Sequence, residues 1–104
     1  MVLIQLLLPT RVDHGGRAAS ELLRETHEEL LKHFGGITAY VQSPASGVWT
    51  SPDGRLEQDR VVMVEVLTER FDTAWWRTYA GVLRERFAQE SIHVRATDVQ
   101  VLDA

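Results

Sequence analysis

Residues 60–68 read RVVMVEVLT, so that Val61, Val62, Met63, Val64, Val66 and Leu67 crowd around one carboxylate, Glu65. β-Branched and apolar residues at this density mark a strand. Side chains alternate between the two faces of a strand, so if Val62, Val64 and Val66 turn toward a core, Val61, Met63, Glu65 and Leu67 turn away from it. Immediately upstream, 43–59 breaks every period. Its Ser51-Pro52-Asp53-Gly54 has turn chemistry, which predicts a hairpin or loop extension with Trp49 beside the turn. Before that, Ile37, Ala39 and Val41 alternate with Thr38, Tyr40 and Gln42, a second strand. Downstream, Asp72 suits a helix cap, and the helix it opens carries Trp76, Tyr79, Ala80, Leu83 and Phe87 on one stripe. Trp75 points about 100° away from Trp76 and is expected at the helix edge, where an aromatic marks an interface or the lip of a pocket.

The outer segments complete the pattern. Val2 to Leu8 is an apolar run interrupted by Gln5 and closed by Pro9, which reads as a strand covered on both faces. It is short and lacks basic residues before it, so a strand is expected here and not a signal peptide. From Arg17 to Phe34, Ala19, Leu22, Leu23, Thr26, Leu30 and Phe34 recur at spacings of three and four, an amphipathic helix ended by Gly35 and Gly36. Ile92 to Leu102 reads as a last strand whose alternation changes parity near Thr97 and Asp98, which predicts a bulge.

The order strand, helix, strand, strand, helix, strand resembles the ferredoxin-like α+β sandwich. That resemblance implies one domain spanning 1–104 and a four-stranded antiparallel sheet of order 4-1-3-2 with both helices on one face. A narrower likeness runs through Phe34-Gly35-Gly36-Ile37-Thr38, Pro44, Gly47, Trp49, Asp59, Glu65-Val66, Trp75-Trp76 and Phe87. These residues resemble a group of small uncharacterised bacterial proteins, a likeness that implies the fold and no activity.

In such a fold the helix-free sheet face meets water or a partner. The alternation places Leu3, Gln5 and Leu7 there, with Thr38, Tyr40 and Gln42 from the second strand, Met63, Glu65 and Leu67 from the third, and His93 and Arg95 from the last. Apolar positions on that face favour burial by about 25 cal/mol per Å². The mixture resembles the dimeric α/β-barrel families, which implies a homodimer closing sheet against sheet around a cavity lined by Gln5, Tyr40, Glu65, His93 and Arg95. A carboxylate within an apolar strand needs a partner, and Arg95 is the expected one. The pair admits two readings. One is a structural ion pair inside a homodimer that binds a small molecule or another protein. The other makes Glu65 or His93 the acid or base of a cofactor-free enzyme acting on a small polar or aromatic compound.

Composition narrows the remaining classes. With a net charge of −4 and Lys32 as the single lysine, the chain has no electrostatic footprint for nucleic acid. The absence of cysteine removes disulfides, thiolate metal sites and thiol chemistry. His14-Gly15-Gly16-Arg17 opens the first helix but matches neither dinucleotide nor P-loop spacing, and reads as a turn. His27 and His33 are six residues apart and fall on different helix faces, so no metal site and no cofactor is expected. Glu29 and His33, four apart, could interact on one side of the helix, but an exposed pair of this kind is usually a weak surface contact. Nothing reaches membrane-span length, and a cytoplasmic protein is the expectation.

Overall fold

The computed structural model describes residues 1–11, 17–34, 39–41, 45–50, 53–54 and 56–103. The chain runs β1 (Val2–Pro9), α1 (Ala19–Phe34), β2 (Ala39–Val41), β3 (Ala45–Thr50), β4 (Leu56–Thr68), α2 (Thr73–Arg86) and β5 (His93–Asp98). The described residues form an α+β arrangement of two helices and an antiparallel sheet. The sheet path is β2-β4-β1-β5, and β3 also lies on β4.

β1 is central because it pairs on both sides. Its register sets Gln5 opposite Glu65 of β4 and opposite Arg95 of β5. One face of the sheet carries the core. Ile4, Leu6 and Leu8 from β1 are fully buried with Val62, Val64 and Val66 from β4. Against them pack Leu22 and Leu30 of α1 and Trp76, Tyr79 and Leu83 of α2, so both helices cover the same face. Each such aliphatic side chain contributes about 2 kcal/mol when buried.

The helix ends follow their chemistry. The Asp72 carboxylate accepts from the Trp75 amide at 3.1 Å, and the Asp72 carbonyl from the Trp76 amide at 3.0 Å, which start α2. Lys32 stands in the last turn of α1, and Arg84 and Arg86 in that of α2, where cations suit the helix dipole.

Three sequence expectations change. β4 begins at Leu56 and not Arg60, because Leu56–Arg60 pair with β3 in a ladder from Ala45↔Val61 to Thr50↔Leu56. Since β1 reaches only as far as Val61, this two-stranded ribbon overhangs the body, and the molecule measures 46 × 28 × 27 Å. β5 stops at Asp98, so the parity change near Thr97 and Asp98 marks a strand end and not a bulge. The Val99 amide donates to the Met1 carbonyl, and Val101 and Leu102 are exposed. Finally, β1 is covered on one face only: Leu3, Gln5 and Leu7 alternate with the buried set and remain half-buried.

Candidate functional site

The helix-free face is organised by one row of register partners across four strands: Tyr40, Glu65, Gln5 and Arg95. Three of these side chains form a directed relay. The Arg95 Nε donates to Gln5 Oε1 at 2.8 Å, and Gln5 Nε2 donates to Glu65 Oε2 at 2.9 Å. The same Gln5 nitrogen lies 3.3 Å from Met63 Sδ. With its amide nitrogen committed to a carboxylate, Gln5 presents its oxygen to the guanidinium, and the orientation of the amide is fixed by both neighbours.

Glu65 is only 3% exposed although it belongs to the face without helices. β1 and β2 flank it, and Met63 and Leu67 precede and follow it on its own side of β4. A carboxylate withdrawn this far from water requires donors, and Gln5 is one of them. The expected direct Glu65–Arg95 pair is not formed. Gln5 occupies the strand between them, so the arginine reaches the carboxylate through an amide. Arg95 and His93 are both exposed. His93 stands one row away, opposite Leu7, and no described contact joins it to Glu65. Tyr40 keeps its register position opposite Glu65. Of the other open-face expectations, Thr38 and Gln42 lie outside the described residues, as do His14, Gly15 and Gly16.

A second polar cluster, between the helices, was not anticipated from the sequence. Arg86 makes a bidentate pair with Glu29, Nη1 to Oε1 at 2.8 Å and Nη2 to Oε2 at 2.9 Å, and its Nη1 also donates to Thr26 Oγ1 at 3.0 Å. The Tyr79 hydroxyl donates to the same Glu29 oxygen at 2.8 Å, and Glu25 lies 3.6 Å from Arg86. Hydrogen bonds from Arg86 hold the Glu29 carboxyl below the usual range, against the effect of burial and with help from Tyr79. Burial pushes the Tyr79 hydroxyl up, and its bond to the Glu29 carboxylate pushes it further. Desolvation works against the Arg86 charge, but the Glu29 bonds outweigh it and raise the guanidinium above its usual value. The signals available were Thr26 inside an apolar stripe and an arginine two turns beyond a tyrosine. Neither names a partner on the other helix, 50 or more positions away.

This cluster continues into an aromatic stack. His33 lies flat on Trp75 at 4.0 Å, and Trp75 on Tyr79 at 4.9 Å, while Phe34 stacks on Trp76 at 5.6 Å. Trp76 is core, as its place on the stripe predicts. Trp75 fills the seam between the helices, against His33 and Phe34 of α1. Glu29 pairs with Arg86, and no described contact joins it to His33. Among the described residues no three His, Asp or Glu side chains stand close enough to hold a metal, and no helix is long and apolar enough to cross a membrane.

No protein-family model matches the chain, and no curated protein matches it by sequence. Solved structures do share its fold. A single-site mutant of CutA1 from Pyrococcus horikoshii OT3 superposes with a TM-score of 0.65 at 17% identity, covering 99% of this chain and 87% of that one. A phage SAM lyase in complex with S-methyl-5'-thioadenosine gives 0.62 at 20% identity, covering 93% and 80%. At these identities the likeness supports a small ferredoxin-like α+β fold and carries no activity.

Proposed function

We propose that the chain is a self-associating, small-molecule-binding module in which two copies close their helix-free sheet faces over the Tyr40–Glu65–Gln5–Arg95 row. The observation that carries this reading is the relay itself: a carboxylate 3% exposed, tied through Gln5 to an exposed arginine, on a face bordered by half-buried Leu3, Leu7, Met63 and Leu67. Leaving that apolar border in water is unfavourable by about 25 cal/mol per Å², and a second copy relieves it. That a phage protein of this architecture holds a thioadenosine compound supports the idea that the scaffold accommodates small ligands.

The test is native mass spectrometry of gently purified protein beside its Glu65→Gln variant. The expected result is a dimer with retained mass for the native protein, and for the variant a dimer that has lost it. A monomer at high concentration sinks the reading, as does a variant whose stability falls while its ligand response stays unchanged.

A further inference from the structure

We propose that the ligand of this face is an amphipathic carboxylate, with its anionic group on Arg95 and its apolar body over Leu3, Leu7 and Met63; this inference rests on the small-molecule reading above. Arg95 spends only its Nε on Gln5, and its two outer nitrogens bond to no described residue. Those two nitrogens form the edge of the guanidinium that matches a carboxylate in two parallel bonds. The edge is held in place. Gln5 cannot turn its amide without setting NH₂ against the guanidinium and breaking its bond to Glu65, so the Nε stays anchored and the outer edge points away from the row.

The counter-charge does not come from the row. Glu65 is covered to 3% exposure within one protomer and already accepts from Gln5, so it is closed to the Arg95 of a second copy. Covering the face therefore takes two guanidinium nitrogens from water with nothing to replace it, which is strongly unfavourable unless an anion arrives with the ligand. Exposed His93, two residues along β5 on the same side, adds a donor beside the same position. The rest of the neighbourhood is apolar: Leu3 and Leu7 on β1 and Met63 on β4 are half-buried and lie in the rows adjoining Gln5. A ligand with one charged end and one greasy end satisfies both halves of the surface, whereas inorganic anions satisfy one.

The experiment is a titration of isotope-labelled native protein with benzoate and with octanoate, each beside its uncharged amide, followed by the backbone amide shifts of Gln5, Leu7, His93 and Arg95. At least one carboxylate is expected to move these signals and to bind at least about tenfold more tightly than its amide, since charge-assisted bidentate bonds are roughly twice as strong as neutral ones. Arg95→Gln should weaken that carboxylate by at least about tenfold. Arg95→Lys, with the charge but without the fork, should restore only part of the loss. Equal binding of acid and amide, an Arg95→Gln variant that binds as the native protein does, or no shift with either carboxylate overturns the inference. A dimer found to retain a neutral or cationic compound overturns it too, while leaving the self-association reading intact. A monomer that binds none of the four probes removes both.

Discussion

Arg86 is the residue whose removal would be felt most widely between the helices. Its side chain is 11% exposed and donates to Glu29 twice and to Thr26 once, and Glu29 in turn holds the Tyr79 hydroxyl. Glu29 is 42% exposed, so water competes for it and the pair is weaker than a buried one. Arg86→Ala is expected to lower unfolding stability by about 2 kcal/mol, a figure set by lost charge-assisted hydrogen bonds and lost packing of the arginine stem. The same pair predicts an acid limb. Because the Glu29 carboxyl is depressed in the fold, principally by its Arg86 bonds, its contribution is complete above the ordinary value of 4.5 and is lost as pH falls through the lower folded value. Urea unfolding between about pH 6 and about pH 3 checks this. Glu29→Gln should be less stable at the upper end of that range and should lose less stability on acidification than the native chain. Parallel acid limbs would show that the pair contributes nothing measurable.

At the scale of elements, the end of α2 shows where a fold can be improved. The Gln89 amide donates to the Arg84 carbonyl at 2.9 Å and the Ala88 amide to the Glu85 carbonyl at 3.3 Å, the paired bonds of a Schellman cap. The residue at its left-handed position is Ala88, with φ of 53°. A Cβ there is strained by about 1 kcal/mol, and glycine removes that strain while giving back part of the gain as unfolded-state entropy. Ala88→Gly should therefore raise stability by up to about 1 kcal/mol, read as a higher thermal midpoint, and a lower midpoint would refute the cap argument. The cap was not legible in the sequence because its residue breaks the preference that would have announced it. The Asp72 cap follows the preference and was legible. For strands, period two identified faces but not ends. Ile92 to Leu102 reads as strand on both sides of one parity change near Thr97 and Asp98, yet β5 ends at Asp98, where the β1 residues that pair with it end at Val2. The Arg86–Glu29 pairing was illegible for a related reason: helix periodicity gives the face a side chain takes and says nothing of which distant helix meets it.

For the whole molecule, the question is what covers a sheet with helices on one side only. The alternation in Arg60 to Thr68 and in Val2 to Leu8 already assigned Leu3, Gln5, Leu7, Met63, Glu65 and Leu67 to one face, and the register sets Gln5 between Glu65 and Arg95. What alternation could not give is the coupling through Gln5, because it depends on which strand lies in the middle and on which way an amide turns. The ribbon of β3 and the start of β4 extends past β1. Two-stranded ribbons are marginal in isolation, so this arm gains stability from any surface that meets it. If the sheet face is the interface between two copies, a charge placed among its apolar positions should separate them without unfolding either. Leu7 is the position to alter: it is half-buried, it faces away from the helices, and its register partners are Met63 and His93. Leu7→Glu sets a carboxylate into that apolar border, where pairing face to face would bury it uncompensated, a penalty on the order of several kcal/mol per copy. Within one protomer water still reaches it, so folding should lose only about 1 kcal/mol. Light scattering coupled to size exclusion should find the native chain as a dimer and Leu7→Glu as a folded monomer. A variant that remains dimeric would move the interface off this face, and the overhanging ribbon would become the surface to probe.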